Sequence, residues 1–348
     1  MADSPLGIPM HANGRFSPAR LAVALAVLSA ISAAAFVAGA LFGAEKVDLT
    51  SALSQPDSLD GRILFGLRLP RLVLAAIAGA GLSAAGAAYQ GLLRNPLADP
   101  FVLGVSGGAA LGGTLALAAS GLIAAMGIAS GVWVSGTAFF GAMLATWLAF
   151  AAGRTEGGLD ATRTLLAGVI FNSFAAAGIT LLKTAVSPEK AQELLFWLTG
   201  SLGYESWSTL AAAAAATGVS IAVLVRQSHA LNLLVLGDDG AAALGVEVAR
   251  VRLSVFLAAS LAVAVAVSLT GLVAFVGLIV PHLARLALGP DQRLLVPASA
   301  LGGAAFLLAA DLGARLLFVP LGTELPAGAL TALAGGPFFL LLLRRKTT

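Results

Sequence analysis

A helix needs about 20 consecutive apolar residues to cross the hydrocarbon layer of a bilayer, and runs of that length recur from one end of this chain to the other. No other feature restricts the fold so severely. Of 348 residues, 59% are hydrophobic and 11% charged, more apolar surface than one water-soluble core can hold. The fold class that follows is all-α, a polytopic transmembrane helical bundle. Ten transmembrane helices are expected, near 20–43, 68–92, 98–119, 129–152, 163–185, 208–225, 253–270, 272–288, 294–317 and 327–343. The pattern is weakest in the third, loosened by Gly104, Gly107, Gly108, Gly112 and Gly113, and in the eighth, interrupted by Pro281.

Ten crossings put both termini on one side. Sorted by that scheme, 13 of the 20 Lys and Arg residues fall on the side of the termini, and because positive residues concentrate in the cytoplasm, both ends are expected there. The opening arginines before a long apolar run also fit a cleaved signal peptide, but the apolar length exceeds a normal one and favours a retained first helix. Residues 1–19 then form a cytoplasmic tail and 20–348 a single transmembrane domain, with the longest polar cytoplasmic connection at 226–252. Within the spans, the Ala/Gly stretch Ala75 to Gly91 and the run Ala211 to Ala216 predict close backbone packing, since small residues supply the contact between helices in lipid. The segment Ala88 to Leu93 is similar to Ala274 to Ile279, with chance or internal duplication both open in so biased a composition.

Several chemistries are excluded. Cysteine is absent, which removes disulfides, thiolate metal sites and iron–sulfur ligation. His11, His229 and His282 are too scattered for a metal cluster, and no phosphate-binding G-x-x-x-x-G-K-[ST] loop exists, so nucleotide hydrolysis by that route is ruled out. The chain is not expected to be an enzyme. A pI near 9.7 arises from a net charge of only +3, which reflects membrane orientation and gives no reason to expect nucleic acid.

The remaining charges invite explanation. Arg68, Arg71 and Arg315 lie at the outer ends of two spans, against the charge bias. Snorkelling explains any one of them; three together suggest docking of an acidic partner, because an arginine fork suits carboxylates. Asp311 and Arg315, one turn apart, predict an intrahelical pair. In the cytoplasmic connection, Gly237 to Glu247 predicts a short helix with an acidic start, stopped by Gly245.

These residues carry a family likeness. Leu67-Arg68-Leu69-Pro70-Arg71, Gly86 to Gln90, Arg94-Asn95-Pro96-Leu97-Ala98-Asp99-Pro100, Leu103-Gly104-Val105-Ser106, Leu166-Ala167-Gly168, Phe196 to Leu202, Leu244-Gly245-Val246, Gly271 to Arg285 and Glu324-Leu325-Pro326 occur in one order. Together they resemble the permease subunits of ATP-binding-cassette importers for iron-siderophores, haem and vitamin B12. The resemblance implies a permease domain in a bacterial inner membrane, paired with a second copy of itself. It also implies two cytoplasmic ATPase subunits, which hold ATP and Mg²⁺, and a periplasmic binding protein; no cofactor is implied on this chain. It makes Arg68, Arg71 and Arg315 the docking points for the binding protein. Asn95 and Leu97 become the cytoplasmic gate, Ala161 and Thr162 a second constriction, and Asp238, Asp239, Ala242, Leu244, Gly245 and Val246 the ATPase-coupling segment. Asn172, Ser173 and Thr180 are implied on the pathway at the dimer interface. Substrate, an iron chelate or cobalamin, would pass by alternating access. The rival class is an ion-gradient-driven transporter, which draws on intramembrane acids, and Asp311 is the sole candidate at depth.

Overall fold

The computed structural model describes residues 16–43, 47–119, 130–155, 158–317 and 325–345. A helix of 34 residues, α3 (Leu59–Leu92), forms the axis of the molecule. Ser58 opens it by accepting the Gly61 N–H at 3.1 Å, the usual service of a serine N-cap. Its first turns widen into a π segment, Arg62–Arg68. Pro70 follows directly; it has no N–H to give and its ring crowds the preceding turn, and the wider turn lets the helix continue through it. At the far end Arg94 adopts a left-handed φ of 50°, Asn95 donates to the Gln90 carbonyl at 3.1 Å and Arg94 to Gly91 at 3.3 Å. These are the paired bonds of a Schellman stop, with arginine where glycine is usual.

Before α3 come α1 (Pro18–Leu41) and α2 (Leu49–Ser54). After it, beyond a 3₁₀ turn at Pro100–Leu103, come α4 (Val105–Ala118), α5 (Ser130–Gly153), a hairpin of β1 (Arg154–Thr155) and β2 (Gly158–Leu159), α6 (Ala161–Ala185) and α7 (Pro188–Leu198). The chain continues through α8 (Trp207–Leu234), α9 (Asp238–Ala243), α10 (Val248–Thr270), α11 (Val276–Leu288), α12 (Gln292–Leu316) and α13 (Ala327–Arg345). Seven of these helices, α1, α3, α5, α6, α8, α10 and α12, are long and apolar enough to cross a membrane, and α4 and α11 are shorter apolar helices. The protein is therefore a multi-pass helical membrane protein. Both weak spans are short, but not where the sequence suggested: Pro281 lies inside a continuous α11, and Gly107, Gly108, Gly112 and Gly113 inside α4. Instead, α4 begins only after the 3₁₀ turn, and α11 only after a break in which Gly271 and Phe275 take positive φ.

The packing follows the small residues. α3 lies against α8, α10, α11 and α12, while α4, α5 and α6 form a second group joined to the first through α10. Gly79 faces the Gly303 carbonyl and Gly86 the Gly277 carbonyl so closely that neither position has room for a Cβ, the close approach that holds helices together in lipid. The run Ala211 to Ala216 behaves otherwise: most of it is exposed on α8. Its expected role in packing within the chain is corrected accordingly. The polar connection is also shorter than 226–252, because α8 runs on to Leu234 and α10 starts at Val248. The two similar segments occupy unlike places, one closing α3 and the other opening α11, so they are not equivalent copies of one element.

Candidate functional site

Two clefts lie at opposite ends of α3. From Arg71 to Arg94 the helix rises about 35 Å at 1.5 Å per residue, a little more than a hydrocarbon layer. The clefts are thus separated by about the thickness of a bilayer's apolar layer; the one near Arg94 is termed inner and the one near Arg71 outer.

The inner cleft, about 330 Å³, is lined by Leu92, Leu93, Arg94, Thr155, Leu159, Asp160, Ala161 and Arg252. Of the four residues that the resemblance implies at the constrictions, Ala161 lines it; Asn95 and Leu97 follow Arg94 in the turn beyond it, and Thr162 is next to Ala161 outside the lining. On one wall the turn after α3 is held rigid by short-range bonds: the Asn95 side chain accepts the Leu97 N–H at 2.9 Å, and Leu97 stands out, 43% exposed. Further along, Asp99 accepts the Phe101 N–H at 2.8 Å and caps the 3₁₀ turn. On the other wall Asp160 caps α6 by accepting the Arg163 N–H at 3.0 Å. That cap sets Ala161 against the cleft and leaves Thr162 exposed.

Beside this cleft sits α9. Gly245 at φ +84°, with Gly245 donating to Ala242 at 2.9 Å and Val246 to Ala241 at 3.1 Å, stops it in the manner foreseen. Its start differs from expectation. The N-cap is Gly237, with no side-chain cap, and Asp238 turns its carboxylate away from the helix N–H groups to Arg94 at 3.0 Å and Arg252 at 2.6 Å. Asp239, Ala242, Leu244 and Gly245 are exposed and Val246 partly so. With Val235 and Leu236 before it, Leu244 makes an uncovered apolar edge on this small helix. The sequence assigns no role to Arg94, which only opens a quoted motif, or to Arg252, which only ends the polar connection.

At the outer end the arginines are not the exposed cations that their positions suggested. Arg68, Arg71 and Arg315 are each less than a tenth exposed. Asp311, fully buried, receives Arg71 Nε on one oxygen at 2.6 Å and Arg315 Nε on the other at 2.9 Å. The anticipated intrahelical pair exists and is extended by a third partner from α3. Arg68 Nη1 donates to the Ala40 carbonyl at 2.9 Å, and Arg315 Nη1 to Gly39 at 3.0 Å and Phe42 at 3.1 Å. Two guanidinium groups thus satisfy the unpaired carbonyls at the C-terminus of α1, where the helix dipole favours cations. Arg71 also lines a second cleft of about 170 Å³, bordered by Phe196, Thr199, Ser201, Tyr204, Leu325 and Pro326 among others. An acidic group could reach it there. Glu324 lies outside the described residues.

The pathway candidates divide. Asn172 turns inward, its amide donating to the Phe101 carbonyl at 2.9 Å and its oxygen accepting the Gly107 N–H at 3.0 Å, so it ties α6 to the 3₁₀ turn and α4. Ser173 and Thr180 are exposed, each hydroxyl bonded back to its own helix. Among the described residues no group of His, Cys, Asp and Glu could hold a metal ion.

Seven apolar helices long enough to span a bilayer, among the described residues, define a multi-pass membrane protein. The chain belongs to the FecCD transport family, whose profile matches residues 23–345. It is 41% identical over 280 residues to the cobalamin import system permease protein BtuC of Halobacterium salinarum, covering 80% of this chain and 73% of that protein. It is 39% identical over 285 residues to the hemin transport system permease protein HmuU of Yersinia pestis, covering 82% and 84%. Among solved structures it is similar to an inward-facing metal-chelate type ABC transporter, with a TM-score of 0.77 at 32% identity over 94% of this chain and 99% of that one.

Proposed function

We propose that this chain is the permease subunit of an ATP-binding-cassette importer that carries an iron chelate, haem or cobalamin from periplasm to cytoplasm. It works as a homodimer in the inner membrane, with ten spans per subunit and both termini cytoplasmic. The observation that carries the reading is the inner cleft: the Arg94 turn and the Ala161 segment face each other across it, and the short helix α9 adjoins it through Asp238. A gate beside a lever is what a conduit driven by a separate motor requires.

Each part has a physical role in this reading. The apolar edge of Leu236 and Leu244 seats α9 in a groove of the ATPase subunit, which binds ATP and Mg²⁺. ATP-driven closure displaces α9, and the permease rocks between states that each ligand stabilises differently. The dimer meets along α6, whose Leu166, Ile170, Phe174 and Leu181 are exposed at helical spacing, with Ser173 and Thr180 beside them on the passage. The binding protein docks at the outer cleft, where a carboxylate reaches Arg71; Arg68 and Arg315 hold the mouth in shape by gripping α1.

The rival, transport driven by an ion gradient, needs a carboxylate in a span that can take up and release a cation. Asp311 is committed to two arginines, which disfavours that role. Vesicles loaded with ATP and carrying the assembled complex separate the two readings. Chelate uptake is expected to survive an ionophore that collapses ion gradients; uptake that disappears while ATP persists overturns the proposal.

A further inference from the structure

Three segments that the fold brings from distant parts of the chain meet at one carboxylate. Asp238 Oδ1 accepts from Arg94 Nη2 at 3.0 Å and from Arg252 Nη2 at 2.6 Å. The other oxygen faces Gly158, where a Cβ would lie 2.6 Å from Asp238 Oδ2 and would also collide with Arg252 Nη1. Gly158 holds φ +110°, a conformation open to glycine and strained for other residues. Arg94 heads the turn of Asn95 and Leu97; Gly158 opens β2, which runs into Asp160 and α6. Asp238 itself is the first residue of α9.

The charges are unequal. One oxygen serves two guanidinium groups, and Arg252, less than a tenth exposed, has Nε and Nη1 buried without a hydrogen-bond partner. Buried donors left unpaired are costly, so the shorter bond to buried Arg252 is the harder of the two to give up, while Arg94, 39% exposed, can exchange its bond for water. Any displacement of α9 changes how that oxygen is divided between them.

We propose that Asp238 is the joint that passes movement of α9 to both gate segments: to the Asn95–Leu97 turn through the ion pair with Arg94, and to the Ala161 segment through the close contact with Gly158. In this role Asp238 faces its own chain rather than the ATPase, and Arg94 is a positioning residue for the gate. The inference rests on the proposed function, since it takes α9 to be moved by an ATPase.

The test uses the full complex with ATPase and binding protein, and a Leu97→Cys chain labelled with a maleimide and read on this chain alone, which has no native cysteine. Failure of the unsubstituted complex to import with ATP would count against the proposed function, not against the joint; the Leu97→Cys complex serves the labelling measurement alone. With import established, ATP is expected to change the labelling rate at position 97. Arg94→Gln is expected to remove that change and lower the chelate imported per ATP hydrolysed by about tenfold, the scale of a typical coupling energy, while Arg94→Lys, which keeps the charge, restores most of both. Asp238→Asn is expected to match Arg94→Gln. Retention of the ATP-dependent labelling change and of the native import ratio in Arg94→Gln and Asp238→Asn would overturn the joint. So would equal losses in Arg94→Gln and Arg94→Lys.

Discussion

Asp311 lies with no solvent exposure between two guanidinium groups, and a buried carboxylate of this kind is stable only in such company. Breaking a buried ion pair by deleting one partner costs about 3–5 kcal/mol, because the other charge stays behind. Asp311→Ala strands two arginines and is expected to lower the thermal unfolding temperature of the purified protein far more than Asp311, Arg71 and Arg315 replaced together by apolar residues. Asp99, which caps the 3₁₀ turn between α3 and α4 and so precedes the third apolar helix as the structure draws it, is buried with a single backbone donor. Burial pushes its carboxyl from 3.8 up to about 6, offset in part by the Phe101 N–H. The folded chain therefore holds this proton more tightly than the unfolded chain. Its contribution is most favourable below pH 3.8, is lost as pH rises through the interval to about 6, and is level above. Asp99→Asn keeps an acceptor without the charge, so it is expected to stabilise the protein above pH 6 by roughly 1–3 kcal/mol and to change little at pH 4; equal effects at both would contradict the assignment. Residues close in sequence were legible at this scale: the spacing of four joins Asp311 to Arg315. Arg71, separated from Asp311 by 240 positions, and Arg94, separated from Asp238 by 144, were not, because helix spacing carries no information about which helices become neighbours.

Helices built on close approach tolerate little growth at their crossings. A Cβ at Gly86 would strike the Gly277 backbone, which cannot rotate aside, so Gly86→Ala is expected to force α3 and α11 apart and cost about 1–3 kcal/mol, seen as lower unfolding temperature in detergent. Gly245 offers the opposite case, with open space around it and a φ of +84°. Gly245→Ala is expected to cost only about 1–2 kcal/mol of local backbone strain. Leu244, 58% exposed on the same small helix, has no packing role to lose within the chain. Leu244→Glu is expected to leave the fold intact and reduce capture of the ATPase subunit by about tenfold; undiminished capture would remove α9 from the interface. Long apolar runs such as 294–317, which appears as α12, were readable because twenty or more apolar residues have few other uses. Shorter elements were not: α7 has 11 residues, and the π segment before Pro70 and the 3₁₀ turn after Asp99 are responses to proline geometry with no periodic signature.

Across the whole molecule, α3 joins the outer cluster at Arg71 to the inner turn at Arg94, and its apolar window is 78% buried against α1 at 6% and α6 at 11%. A rigid, enclosed axis with lightly covered flanking helices suits a subunit whose outer faces meet lipid and a second copy, and whose ends meet soluble partners. In this account the chain supplies a passage and a gate, and the work comes from elsewhere. The most direct test is accumulation of chelate in proteoliposomes, measured for the purified chain alone and for the chain assembled with its ATPase and binding protein. Accumulation against a gradient only in the assembled case, and only with ATP, is the expected result; accumulation by the chain alone would contradict it.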